Sequence, residues 1–320
     1  MTTSRAYTGA ILAAGRGSRM APFSERYPKP LLPICNKPLI QYQIEMMKAV
    51  GIRDIIVLVG HKGFEISKVL ADGSKYDVDI HYVEQTSMLG IAHAVGRLEP
   101  HINQPFLLFL GDIFFVPGDL PHMFHMFEKQ GGGAVLAAKE ENDPEAIRRN
   151  FSITLSREGF VTRVVEKPRY TSNRLKGVGL YLFDLSIFDA IRRTPRTAMR
   201  DEYEITDAIQ VMIDDGHPVR VATTIIDDMN LTTPTDLLRC NLRQARNLQR
   251  DGLIGANSHW HPQAHFENCV IGANVRIKHP IHLAHSVIFD NTCVASTVGF
   301  DHAIVTPDGM VDCKYDMHMM

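Results

Sequence analysis

The sequence predicts an α/β protein built on a mainly parallel sheet flanked by helices, and three observations carry that prediction. Short apolar runs alternate with longer amphipathic ones through the first two thirds of the chain, the pattern of buried strands joined by crossover helices. The strand-like runs are nearly continuous in apolar residues and bounded by turn residues, as expected for parallel strands covered on both faces. Near the C-terminus a six-residue period replaces both patterns and marks a second architecture.

Taken in order, residues 9–14, 54–60, 79–84 and 105–110 read as buried strands. Residues 38–50 form a helix stopped at Gly51, and residues 63–70 and 89–98 make the next two crossovers. Residues 119–130 make a further helix ahead of a strand at 134–138. From Phe151 the alternation tightens: Ile153, Leu155, Val161, Val164 and the run 178–183 suggest added strands, with turns at Glu158-Gly159 and Lys167-Pro168. This stretch reads as an insertion forming one wall of a cleft. Residues 202–214 and 234–249 close the domain as helices. The expected division is a domain over 1–250 and a tail over 251–320.

Composition narrows the partners. Thirty-four Lys and Arg against thirty-six Asp and Glu leave a formal net charge of -2, so nothing global attracts nucleic acid or an anionic membrane. An anionic ligand would need a local site, and the expected partner is a small molecule. Five scattered cysteines with no C-x-x-C pair argue against a disulfide framework and a structural zinc site, and fit a cytoplasmic protein. Residues 1–7 are polar, and the apolar run after them is too short for a signal peptide or a membrane span.

In the tail, Ile271, Ile277, Leu283 and Phe289 recur every six residues, and Val275, Ile281, Val287 and Cys293 repeat at the same interval. Two inward positions per six residues fit a triangular solenoid, and the pattern resembles the hexapeptide repeat of left-handed parallel β-helices. Four or five hexads amount to barely more than one coil with both ends uncovered, so the tail is expected to pack on the main domain or on another subunit. Cys269 and Cys293 fall on the inward ladder. His279, His282 and His285 fall between rungs and read as a solvated outer face, in preference to a metal site at His259, His261 and His265.

The chemistry concentrates after the first strand. Gly15 and Gly17 leave room for backbone N–H groups to approach phosphate oxygens, and Arg16, Arg19 and Lys29 add positive charge. A dinucleotide fingerprint fails, because Met20 follows Arg19 and the second strand ends in Gly60-His61-Lys62 without a carboxylate. A Walker A loop fails as well, because no Gly-Lys-Ser/Thr follows at the required spacing.

The residues from Leu12 to Arg19, then Pro28-Lys29-Pro30, then Gly111-Asp112 after an apolar strand, resemble the sugar-1-phosphate nucleotidyltransferases. Gln85 with Leu89 and Gly90, Glu166-Lys167-Pro168, Gly179, the stretch 202–207 and the stretch 230–236 follow in the family's order. The resemblance covers residues 8–245. It is nearest to the long glucose-1-phosphate thymidylyltransferase-like proteins, which also end in a β-helical tail.

The resemblance implies a Rossmann-like nucleotidyltransferase fold and attack by a sugar-1-phosphate oxygen on the α-phosphorus of a nucleoside triphosphate, releasing pyrophosphate. Such a reaction rests on positioning and charge neutralisation rather than a covalent intermediate. Arg19 and Lys29 then serve as catalytic cations. Leu12, Ala13, Gly15, Arg16, Gly17, Ser18, Gln85 and Gly90 bind the nucleotide, while Phe151, Glu166, Lys167 and Gly179 hold the sugar phosphate. Mg²⁺ is the implied cofactor, with Asp112 one ligand and Asn230 the other, Asp228 competing for that second place. The implied partners are a nucleoside triphosphate, a sugar phosphate or sugar-like phosphate, and further copies of the chain as a homo-oligomer.

Departures from the family pattern bear on the acceptor. Asn150-Phe151 replaces Tyr-Gly, Lys176-Gly177-Val178 is unusual ahead of Gly179, and Ser18 and Met20 replace threonine and leucine. These differences suggest a modified sugar, heptose or cyclitol phosphate as acceptor. The alternative function is a catalytically silent sensor that binds a nucleotide sugar. Its discriminating feature is the set Arg19, Lys29 and Asp112, which is intact.

Overall fold

A computed structural model describes residues 7–170, 173–198, 200–249 and 252–315. Residues 1–6, the expected boundary at 250 and 251, and His318 lie outside the described residues. The described chain divides into two compact units. One comprises the residues up to Arg16 with Gln43–Asp228, the other Gly17–Tyr42 with the residues from Met229 onward.

The first unit is the α/β part. Its strands are β1 (Thr8–Ala13), β2 (Asp54–Val59), β3 (Asp79–Glu84), β4 (Phe106–Leu110), β5 (Ile113–Pro117), β6 (Ala134–Glu140), β7 (Phe151–Leu155), β8 (Val161–Glu166), β9 (Leu175–Phe183), β10 (Val219–Ala222) and β11 (Ile225–Asn230). A parallel core runs in the order β4-β1-β2-β3. It continues past β4 through antiparallel β9, which also pairs with β7 and β6, and β10 joins β6 in parallel. The crossover helices Leu39–Ala49, Gly63–Leu70 and Ile91–Gly96 fall where the periodicity predicts them. Asp119 caps the helix Leu120–Gln130 by accepting from His122 N–H, and Gly131 ends it at φ 86, a left-handed position that glycine adopts without strain.

The apolar pattern did not mark β5 or β11. They form a separate two-stranded sheet. A two-residue break, Gly111-Asp112, hides where β4 ends and β5 begins, and β11 carries two aspartates where an alternating strand would carry apolar residues.

Core packing explains the two departures from the family pattern at positions 151 and 176–178. The Phe151 ring is buried in the main apolar cluster, stacked on Tyr181 with centroids 6.2 Å apart, and Tyr181 stacks in turn on Phe183. A Cβ built on Gly177 would fall within the Phe151 ring. The bulky residue at 151 and the missing side chain at 177 are therefore one packing arrangement. Gly179 has a separate cause: φ is 76 there, within the register shift of β9 against β6, and a Cβ would meet Ile113.

The second unit joins segment 17–42, the helix Pro234–Asn247 and a parallel β-helix. The helix opens with a capping box between Thr233 and Asp236. Its fully buried Asn241 accepts from Cys35 N–H through Oδ1 and donates to the Pro33 carbonyl through Nδ2, tying segment 17–42 to the helix. Phe23 and Tyr27 pack against Phe289.

Strands of the β-helix pair seventeen residues apart: Gly252 opposite Cys269, Val270 opposite Val287, Val287 opposite Ile304. Among the described residues three parallel sheets result, and three coils are present where the hexads predict little more than one. Six, six and five residues per coil account for the difference, because the short side moves the inward register by one residue. Ile288 and Val294 consequently fill the interior of the third coil, Phe289, expected inward, packs instead on Phe23 and Tyr27, and Cys293, expected inward, is exposed. Cys269 is buried as expected. Both ends were expected to be uncovered, but on one face the strand Gly309–Asp312 folds back antiparallel on Ala303–Thr306.

Replacing Gly177 with Ala is expected to cost about 2–3 kcal/mol by overpacking. In a Phe151→Ala background the same change should cost well under about 1 kcal/mol, since the ring that obstructs it is gone. Urea denaturation of the four proteins checks this; equal costs in both backgrounds would show that the ring is not the obstacle.

Candidate active site

The carboxyl ends of the four parallel strands bring several predicted residues of the first unit together. Gly111 N–H donates to the Leu12 carbonyl at 2.9 Å, so the loop carrying Asp112 leaves the sheet beside Leu12 and Ala13. A side chain at Gly111 would collide with the Leu12 carbonyl, which is why glycine precedes Asp112. Gln43, almost fully buried, donates through Nε2 to the carbonyls of Leu110 and Ile113, each at 2.9 Å, and braces the Asp112 loop from beneath. The motif reading missed Gln43. Its signal was a lone amide among Ile40, Ile44 and Met47 on an otherwise apolar helix face.

On the neighbouring strand ends, Gln85 N–H donates to the Val59 carbonyl at 2.8 Å. The Gln85 side chain is buried and engaged, with Nε2 3.1 Å from His93 Nδ1. Burial holds the His93 pKa below the ordinary histidine range, which favours a neutral ring that accepts from Gln85. Gly90 has φ 104, and a Cβ there would strike the Tyr203 backbone. Tyr203 pairs with this loop through Tyr203 N–H to the Leu89 carbonyl at 2.7 Å and Ala92 N–H to the Tyr203 carbonyl at 2.9 Å. The stretch 202–207 thereby fixes the loop that carries Gly90. Gly15 and Arg16 are exposed at the end of the first strand's loop.

Glu166 and Lys167 belong to a different part of the first unit. Glu166 ends β8, opposite Phe151, and Lys167 follows at φ 41 with its N–H on the Asn150 carbonyl. Glu166 Oε1 lies 3.7 Å from Lys167 Nζ and 3.6 Å from Arg200, which also holds the buried Glu204 at 2.9 Å. A cavity of about 670 Å³ lies here, lined by Val165, Glu166, Arg200, Glu204, Asp207 and Gln210 among others. Burial is the main cause raising the Glu166 pKa, and Glu204 adds to it; Lys167 and Arg200 oppose the shift. Burial likewise raises Glu204 and Asp207. The Phe151 side chain points into the core, as described above.

The carboxylates preceding Asn230 are occupied. Asp228, with its side chain 2% exposed, lies 2.9 Å from Lys176 Nζ and 3.0 Å from Lys139 Nζ, and Lys139 also reaches Asp227 at 3.0 Å. Lys176, unusual in the sequence, is thus the countercharge for a buried carboxylate. Asp228 is held as a buried carboxylate between two ammonium groups.

The remaining predicted residues lie in the second unit. Gly17, at φ 63, opens a short turn over Ser18–Met20, and the buried Met20 and Phe23 anchor that segment while Ser18 and Arg19 stay exposed. A Cβ on Gly17 would lie 3.2 Å from Lys29 Cγ, so the lysine stem lies against this glycine. Pro28 and Pro30 are buried on either side of Lys29. Asn230 ends β11, and its carbonyl accepts from Thr232 N–H at 3.1 Å.

The Glu166 shift has a pH signature. A carboxyl whose pKa is raised on folding binds its proton more tightly in the folded state, so its contribution to stability is lost as pH rises from the ordinary carboxylate value through the raised one. Glu166→Gln removes that penalty. The variant should therefore gain stability relative to the parent at pH 7 and show no gain at pH 4, as measured by urea denaturation; a gain independent of pH would contradict the assignment.

The Nucleotidyl transferase family matches residues 8–228. A low-salt glycan biosynthesis nucleotidyltransferase of Haloferax volcanii is 35% identical over 253 residues, covering 77% of this chain and 69% of that protein. A glucose-1-phosphate thymidylyltransferase of Streptomyces griseus is 34% identical over 255 residues, covering 78% of this chain and 69% of that protein. The crystal structure of a UDP-glucose pyrophosphorylase complexed with UDP-glucose shares the fold, with TM-score 0.67, 23% identity, and coverage of 77% of this chain and 100% of that one. A parallel sheet whose strand ends gather the glycine loop, Gln85 and Asp112, together with these matches over most of its length, makes this chain a member of the nucleotidyl transferase family of enzymes.

Proposed function

We propose that the protein transfers a nucleoside monophosphate from a nucleoside triphosphate to a sugar-1-phosphate or sugar-like phosphate, releasing pyrophosphate by direct in-line attack on the α-phosphorus. The observation that carries this reading is the convergence of Leu12, Ala13, Gln85 and Asp112 at adjacent strand ends within the family-matched region. Ligand groups in open α/β sheets belong at that edge. Backbone N–H groups around Gly15 and Gly17 approach the phosphates, and Arg16, Arg19 and Lys29 offset their charge. Gln85, with Nε2 on His93, turns its Oε1 toward a base edge and accepts an imide N–H of thymine or uracil. Gly90 keeps the base pocket open where a side chain would intrude.

Asp112 and Asn230 supply the hard oxygen donors that Mg²⁺ takes, and when bound Mg²⁺ neutralises phosphate charge. On the acceptor side, Glu166 accepts sugar hydroxyl hydrogen bonds and Lys167 pairs with the sugar phosphate once the cluster with Arg200 opens to admit them. Gly179 and the backbone at Phe151 shape that wall. Because the Phe151 ring faces Gly177 in the core, the exchange at 151 does not by itself exclude glucose-1-phosphate. The protein is read as a cytoplasmic homo-oligomer. No helix among the described residues is long and apolar enough to cross a membrane.

Pyrophosphate release measured over a panel of triphosphates with glucose-1-phosphate, heptose phosphates and cyclitol phosphates tests the reading. Product formation supports the enzyme and ranks the acceptors, whereas nucleotide-sugar binding without turnover supports the sensor. Asp112→Ala is expected to lower kcat by at least about 100-fold with an unchanged melting temperature. Undiminished turnover would remove Asp112 from the site.

A further inference from the structure

Two stacks of residues in the left-handed conformation run down the β-helix. Asn257, Asn274 and Asn291 form one, at φ 58, 57 and 62; Asn268, His285 and His302 form the other, at φ 49, 44 and 55. Asparagine tolerates this conformation better than most side chains, and the first stack keeps it in every coil. The second stack changes to histidine in its last two coils, where Asp301 immediately precedes His302. As a result, His285 Nδ1 and His302 Nδ1 lie 3.0 Å and 2.7 Å from the same Asp301 Oδ1, with the imidazoles stacked 4.7 Å apart. All three ligand atoms fall within 4.8 Å of one another.

We propose that His285, Asp301 and His302 form a binding site for a divalent transition-metal ion of the zinc class, joining two successive coils of the tail. Two imidazole nitrogens and one carboxylate oxygen are a donor set that such ions take and that Mg²⁺ does not favour. Metal–ligand distances of about 2.0–2.1 Å put neighbouring donor atoms about 3.3 Å apart in a tetrahedron; nitrogen–oxygen separations of 3.0 and 2.7 Å and a nitrogen–nitrogen separation within 4.8 Å reach that spacing by rotation of these partly exposed side chains.

The surroundings match the requirements of the ligands. His285 Nε2 faces Glu267 Oε1, from the preceding coil, at 4.0 Å. That separation is beyond hydrogen-bond distance, but a small turn of the exposed Glu267 side chain brings it onto the Nε2–H and leaves Nδ1 for the metal, the usual arrangement behind a metal-bound imidazole. Asp301 Oδ2, the oxygen turned away from the imidazoles, lies 3.7 Å from Lys314 Nζ. The side chains of His285, Asp301 and His302 are each partly exposed, at 33%, 35% and 20%, so an ion reaches them from solvent and water can complete its coordination.

The test uses the full chain, freed of metal with a chelator and dialysed, then titrated with Co²⁺ and with Zn²⁺. The expected result is one equivalent of Co²⁺ with visible ligand-field absorption, displaced by Zn²⁺, and a higher melting temperature with Zn²⁺. His285→Asn/His302→Asn gives these corners the residue already present at Asn268, so the coil is preserved, and it should abolish both effects. Asp301→Asn should do the same, and Glu267→Gln should weaken binding about 10-fold to 100-fold. His259→Gln/His261→Gln should leave the site intact. Failure of the parent chain to bind stoichiometrically, or undiminished binding by the His285/His302 double variant, would overturn the proposal.

Discussion

The backbone pairing of strand Thr8–Ala13 is the constraint from which the first unit's organisation follows. This strand is hydrogen-bonded on both sides, to Asp54–Val59 and to Phe106–Leu110, with all three running in the same direction. Parallel neighbours must be connected by crossovers, so each of the three connections between successive parallel strands departs from this edge as a loop and passes through a helix. The carbonyl of Leu12 then accepts one further bond, from Gly111, beyond the end of the ladder. That single bond sets how closely the loop after the first strand and the loop bearing Asp112 approach. Glycines at 60 and 111 are the sequence cost of the close approach, because Ala14, Gln85 and Leu12 backbone atoms fill the space a side chain would need.

Charge in this protein is organised at short range. A chain of nearly zero net charge buries Lys176 against Asp228 and draws Lys139 toward both Asp227 and Asp228. Such pairs contribute little net stability, but removing one partner leaves the other stranded in a poor solvent, so each member holds its neighbours in place. The Glu166, Arg200 and Glu204 group differs in kind: one guanidinium serves two carboxylates, and burial raises both above their ordinary range.

What the sequence revealed and what it concealed differ for physical reasons. Apolar continuity and the glycine and proline boundaries located the parallel strands and their helices because burial on two faces leaves an unmistakable composition. The strand Ile225–Asn230 was concealed because its aspartates are neutralised by lysines some 50 and 90 residues earlier in the chain, which no local pattern can report. Gln43 and Asn241 were concealed for a similar reason: each is an amide on an apolar helix face whose purpose is to satisfy carbonyls or N–H groups of a distant loop. The pairing of Phe151 with Gly177 showed in the sequence only as two separate irregularities. In the tail the hexad ladder was readable until the five-residue side displaced it, so the repeat was found and its extent was underestimated.

The antiparallel return of Gly309–Asp312 onto Ala303–Thr306 has a consequence for self-association. A parallel solenoid is an open-ended template: each finished coil exposes backbone donors and acceptors that could recruit one more strand in the same direction, from its own chain or from a neighbour. A strand of opposite direction satisfies those groups in a pattern that a further parallel rung cannot continue. On that face the hairpin works as a chain terminator, and end-to-end polymerisation of the tail into a filament is closed off there by geometry rather than by charge.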